Sequence, residues 1–165
     1  GPMNDRPSMY QVQEIRIGDV PHPVFDPVLG YWNAVRADRF APRWQDFDLA
    51  ELPATLLRNT LVVDMQDPPL PIRYRYYGSG IAQSHGFELT GKTSDDIFPE
   101  DLRRHIVGQY EVVRTAREPK LFLSDIYVKD GVPKRDLILR LPLSEDGERV
   151  TGAVSVEHRY TDRRD

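Results

Sequence analysis

A chain of 165 residues has room for one domain and a short appended arm, because domains run to roughly 100–200 residues. Apolar residues make up 39%, enough for a packed core, while 22 Lys and Arg against 26 Asp and Glu leave a net charge of −4; that balance argues against a protein that lives on nucleic acid or an anionic membrane. The sequence has no Cys, which excludes a thiolate nucleophile, a Cys-ligated zinc or iron–sulfur centre, a disulfide framework and any chromophore bonded to sulfur.

No apolar run approaches the ~20 residues of a membrane span and no charged-then-apolar leader opens the chain, so the expectation is a soluble, cytoplasmic protein without a membrane partner. Gly1-Pro2 before Met3 has the form of a tag scar. Tyr10, Val12, Ile15 and Ile17 break the period of two between Val12 and Ile15, and Val20-Pro21-His22-Pro23 cannot be helical, so residues 1–25 read as scar and N-terminal arm. Asp26-Pro27 starts a helix, and Val28, Leu29, Trp32 and Val35 recur at helical spacing, which predicts an amphipathic helix over 27–40. It belongs to an N-terminal helical segment, 26–58, that ends in short turns around Pro53.

From residue 59 the texture is that of strands, and 59–160 reads as the core, followed by a polar tail, 161–165. Leu61 to Met65 and Ile72 to Tyr77 form a hairpin interrupted by Asp67-Pro68-Pro69-Leu70-Pro71. Strict alternation in the second strand puts Ile72, Tyr74 and Tyr76 on one face, opposite Arg73, Arg75 and Tyr77. Gly78-Ser79-Gly80 ends it, and a short helix runs from Ile81 to His85. Pro99-Glu100-Asp101 is a helix first turn, with Leu102, Ile106, Tyr110 and Val113 as the buried stripe and Glu118-Pro119 as the stop. Three strands finish the chain, 121–128, 135–143 and 150–157, joined by hairpin turns at Lys129-Asp130-Gly131 and Asp146-Gly147. In the middle one Leu137, Leu139, Leu141 and Leu143 oppose Asp136, Ile138 and Arg140.

The order strand, strand, short helices, longer helix, three antiparallel strands resembles the PAS domain. The stretch Ile72 to Ile81, then Leu89-Thr90-Gly91-Lys92, then Asp96-Ile97-Phe98-Pro99, and finally Leu141-Pro142-Leu143-Ser144-Glu145-Asp146-Gly147, is similar to a bacterial PAS subgroup often found as short stand-alone proteins. The resemblance covers about residues 27–158. It implies an α+β fold, a five-stranded antiparallel sheet with helices on one face and an N-terminal helix on the other, often across a dimer. Val28, Trp32 and Val35 are then the expected dimer interface. It also implies a pocket between sheet and long helix, whose candidate lining is Tyr74, Tyr76, His85, Phe98, His105, Tyr110, Leu123, Leu139 and Leu141, apolar walls with a few phenolic donors.

Other chemistries have weaker footing. Ser79 with His85 six residues on suggests a hydrolase, but Gly78-Ser79-Gly80 is not a nucleophile elbow. A dinucleotide fingerprint fails at Gln83, where a third Gly is needed. Helix capping accounts for Asp95, Asp96, Glu100 and Asp101 without a metal. PAS domains can hold haem through a His on the long helix; His105 lies on that helix, but earlier than the family's ligand. Arg73 and Arg75 alternate with Tyr as on a nucleic-acid platform, and the negative net charge favours salt bridging instead. The resulting expectation is a non-catalytic sensory module, homodimeric, that binds an unidentified small molecule or a signalling protein and requires no cofactor. The alternative is a pure interaction adaptor with a filled core. No kinase, cyclase or DNA-binding segment fits beside the core, so output is expected from another chain.

Overall fold

The structure, a computed structural model, describes residues 9–19, 23–127 and 133–160. Its strands are β1 (Tyr10–Ile15), β2 (Thr60–Asp64), β3 (Arg73–Tyr77), β4 (Lys120–Tyr127), β5 (Pro133–Leu143) and β6 (Gly152–Arg159). Its α-helices are α1 (Asp26–Arg36), α2 (Ala54–Leu57), α3 (Ser79–His85) and α4 (Glu100–Ala116). All strand pairs are antiparallel, and the sheet runs β1-β4-β5-β6-β2-β3. The sheet therefore has six strands where the sequence reading expected five. Residues 10–15, taken as part of an arm, pair with β4 from Tyr10 opposite Ile126 to Ile15 opposite Leu121. An edge strand with one partner needs no buried face of its own, and residues 11–14 are exposed, so the period of two is not written into it. The expected turn at Lys129-Asp130-Gly131, the Pro21-His22 segment, residues 1–8 and residues 161–165 lie outside the described residues.

Strand β5 organises the core, because its side chains alternate between two different environments. Leu137, Leu139, Leu141 and Leu143 join Leu121, Val154, Val156 and Val62 on one face, with Phe25, Val28 and Trp32 packed against them. The indole Nε1 of Trp32 donates to the carbonyl of Pro142 at 2.9 Å, fixing α1 to the strand backbone. On the opposite face Leu61, Val63, Tyr74, Tyr77 and Ala153 pack with Ile81 of α3 and with Tyr110 of α4.

Helix α4 starts after Pro99, carries Glu100 and Asp101 in its first turn, and ends at Arg117, whose φ of 57° takes it out of the helix. Tyr110 and Val113 of the expected stripe are fully buried. Helix α1 stops four residues short of its expected end. Arg39 folds back to donate to the carbonyls of Val35 (2.9 Å) and Arg36 (3.2 Å), so the last turn's acceptors are satisfied by a side chain rather than by another turn. The same guanidinium reaches Asp46 at 3.1 Å, which ties the helix end to the following loop.

Gly78 and Gly80 are explained by packing. A Cβ on Gly78 would collide with the carbonyls of Arg58 and Thr60, and one on Gly80 with Asn59 and Arg58. Their amides bond to Thr60 and Arg58, both at 2.8 Å, which seats the start of α3 on the turn before β2. At the β5–β6 turn Gly147 takes a φ of 75° and the Asp146 carboxylate accepts from the amides of Glu148 and Arg149, both at 2.8 Å. Those amides and the Arg149 side chain hold the Asp146 carboxyl well below the usual carboxylate range.

Candidate functional site: a cavity under the long helix

Most of the sheet's second face is closed by α4, but the contact is not filled by hydrocarbon. Hydrogen-bonding register carries one lateral row of side chains from Arg140 to Ser155 to Leu61 to Tyr77 across β5, β6, β2 and β3. Arg140 is 2% exposed. Its Nε and Nη2 donate to Oε1 of Gln109 at 3.0 and 2.8 Å, and Nη1 donates to the hydroxyls of Tyr110 and Ser155, both at 2.8 Å. Gln109 in turn donates to the His105 carbonyl one turn earlier, at 3.1 Å. A single guanidinium thus joins α4 to two strands, and every acceptor it uses is neutral.

Around this core lies a cavity of about 40 Å³, bordered by Tyr74, Tyr77, His85, His105, Gln109, Tyr110, Asp136, Arg140 and Glu157 among others. That is space for about three water molecules. Each carboxylate on its wall has a basic partner. Glu157 meets Nε2 of His85 at 3.3 Å, and Asp136 accepts from Nε of Arg159 at 2.7 Å. Burial pushes Asp136 upward against the pull of Arg159. Burial acts the same way on Glu157, but the His85 bond and the charges of His85, Arg140 and Lys134 outweigh it and bring the carboxyl below its ordinary value. His105 is driven down to about 4, first by burial and then by the Arg140 charge, and stays neutral; its Nε2 lies 2.7 Å from Oγ of Ser124. Burial also lifts the phenols of Tyr74, Tyr77 and Tyr110 above their ordinary range.

Of the nine residues expected to line the pocket, Tyr74, His85, His105 and Tyr110 do so. The others lie elsewhere. Leu139 and Leu141 belong to the α1 face, with Leu123 packed against the same cluster. Tyr76 is on that face too, because the β2–β3 register slips between Val62 and Val63; Leu61 pairs with Tyr77, Val62 with Tyr76, and Val63 with Tyr74. The slip corrects the expected alternation and brings Tyr77 to the cavity beside Tyr74, ring centroids 5.8 Å apart. Phe98 is 79% exposed. Of the expected interface residues, Val28 and Trp32 are buried within the chain and Val35 is partly buried. Sequence reasoning missed Arg140, Gln109, Ser155, Glu157 and Tyr77; the parity of β5 was the available signal for Arg140, since it placed Arg140 opposite the leucines.

The other sequence candidates resolve simply. Ser79 is exposed, and no hydrogen bond joins it to His85 among the described residues. Arg75 pairs with Asp64 at 3.0 Å and sits 5.4 Å from the centre of the Trp44 ring. The described residues contain no cluster of ligating side chains for a metal and no helix long and apolar enough to cross a membrane. Haem does not fit the cavity: the space is that of a few waters, and the His105 nitrogen that would meet iron is engaged by Ser124.

Among curated proteins none matches the sequence. Among solved structures, the chain is similar to the light-state structure of the blue-light photoreceptor Aureochrome1 LOV, with 19% identity, a TM-score of 0.44 and coverage of 64% of this chain and 83% of that one. It is similar to the PAS domain of a protein from Colwellia psychrerythraea, with 16% identity, a TM-score of 0.44 and coverage of 63% and 86%. It is also similar to the PAS domain of the fruit-fly ELK potassium channel, with 18% identity, a TM-score of 0.41 and coverage of 62% and 86%. The family model for the PAS domain matches residues 20–155, most of the chain. By that match the chain belongs to the PAS domain family.

Proposed function

We propose that this PAS domain is a non-catalytic sensory module that admits a small molecule to the cavity under α4 and passes the outcome to a protein partner, a second copy of the chain included. The observation that carries this reading is a cavity in which apolar walls such as Leu61, Leu102 and Ile106 are interrupted by Arg140, Gln109, Glu157 and three tyrosines, the make-up of a small-molecule site. Arg140 supplies the coupling, since a ligand that draws on its hydrogen bonds acts on α4, β5 and β6 together. A ligand shifts the balance between two packings of helix on sheet only by its differential affinity for them. On the far face, Ile15, Ile17, Leu29 and Phe40 border an open groove of about 720 Å³ between α1 and the β1–β4 edge, a surface for the partner.

That groove also favours the adaptor reading, in which partner binding needs no ligand. Native and denaturing mass spectra of the purified chain separate the two. A mass excess lost on denaturation is expected. A ligand-free chain that nonetheless assembles, with no added small molecule altering its stability, sinks the sensor reading in favour of the adaptor.

A further inference from the structure

The cavity holds an excess of hydrogen-bond donors. Arg140 touches no carboxylate among the described residues, although its charge acts on Glu157 from a distance. A guanidinium has five N–H groups; Arg140 makes four hydrogen bonds, leaving one Nη2 N–H over. Tyr74 is 3% exposed and Tyr77 8%, both border the cavity, and neither hydroxyl has a hydrogen-bond partner among the described residues. The two hydroxyls keep accessible surface, and with the spare Nη2 N–H they are three donors at the cavity that no protein acceptor takes. A single group with two acceptor oxygens answers these donors together.

We infer that the cavity is a site for a small carboxylate, its oxygens taken by the Tyr74 and Tyr77 hydroxyls and its charge set against Arg140. The inference rests on the sensory reading above and narrows it to one ligand class. Space for about three waters corresponds to a ligand of three or four non-hydrogen atoms, the size of formate or acetate. A planar carboxylate also suits the fork of a guanidinium, and a charge-assisted bond is roughly twice as strong as a neutral one. Larger acids need their chain to leave past Phe87, which is 40% exposed at the cavity border.

The test is calorimetric titration of the intact chain at constant ionic strength with acetate, acetamide and methylammonium. A ligand this small is held at best in the micromolar range, so the titration extends to millimolar concentrations. Saturable acetate binding at one site per chain is expected, at least tenfold tighter than acetamide, with no binding of methylammonium. Tyr74→Phe removes no hydrogen bond from the unliganded chain, so its unfolding temperature is expected to hold while acetate affinity falls about tenfold; Tyr77→Phe is expected to behave alike. Acetamide binding as tightly as acetate, a preference for methylammonium, no saturable acetate binding, or undiminished acetate affinity in both phenylalanine variants overturns the inference. A neutral compound in the native mass spectrum together with any of these leaves the sensory reading standing. No bound compound, and no small molecule that binds, removes both.

Discussion

The two faces of one sheet, built partly from the same strand, do opposite work. On the α1 side Leu137, Leu139, Leu141 and Leu143 meet Trp32, Val28 and Phe25 in an apolar layer whose side-chain hydrogen bond is that of the Trp32 indole to a backbone carbonyl. On the α4 side the residues between them in β5, Asp136, Ile138 and Arg140, face hydroxyls, an amide and a carboxylate across a small cavity. The dry face gains free energy from burial at ~25 cal/mol per Å² and sets the register, since a one-residue slip of β5 would turn Arg140 into the leucine layer. The α4 face gives up part of that gain to polar side chains around the cavity. The apolar layer and the polar cavity wall are thus separated by strand parity.

Substitutions on the two sides sharpen the contrast. Leu139→Ala, at a site with no exposure, is expected to cost about 2–5 kcal/mol in urea unfolding, the largest effect here; a loss under 1 kcal/mol would show that the dry face is not the stabilising one. Gln109→Leu takes the shared acceptor from Nε and Nη2 of Arg140 and leaves a buried charge short of partners, at about 2–3 kcal/mol.

Acid comes next, and His105 on the α4 face answers to it. His105 ionises in the folded chain at about 4, against an ordinary 6.5. As pH falls from 6.5 towards 4 the unfolded chain takes up a proton that the folded chain refuses, so stability present above 6.5 declines through that window. Urea midpoints at pH 7.5 and 5 are expected to differ in that direction, and His105→Gln to shrink the difference. Below the ordinary glutamate range Glu157, lowered in the folded chain, adds a loss of the same sign, while Asp136, raised by burial, opposes it. Ser79→Ala is expected to change the unfolding free energy by less than about 0.5 kcal/mol, as befits an exposed serine outside both faces.

Much of this was legible in the sequence, in proportion to how strictly each element repeats. The parity of residues 136–143, the α4 stripe and the helix with Trp32 are all read from spacing, and the motifs from Ile72 to Pro99 are enough to indicate the family. The site was less legible for three physical reasons. Choosing pocket residues by apolarity selected Leu123, Leu139 and Leu141, which face the dry layer. A register slip in the β2–β3 pair exchanged Tyr76 for Tyr77, and no residue type marks such a slip. Arg140 is a charge at 2% exposure, which composition-based reasoning assigns to the surface. Residues 10–15 form a strand through a partner more than a hundred positions away, a pairing that local periodicity does not encode.

That first strand is fastened differently from its neighbours. It pairs with β4 alone, and residues 11–14 are exposed. Peeling it away uncovers little hydrocarbon, so its opening costs less than global unfolding, and its amide protons are expected to exchange with solvent before those of β5. Peeling also turns β4, with Leu121-Phe122-Leu123 at its start, into a bare sheet edge that a strand from another polypeptide can complete. The border of the sheet is thus its most easily opened part, closed by residues 10–15 while they stay in place.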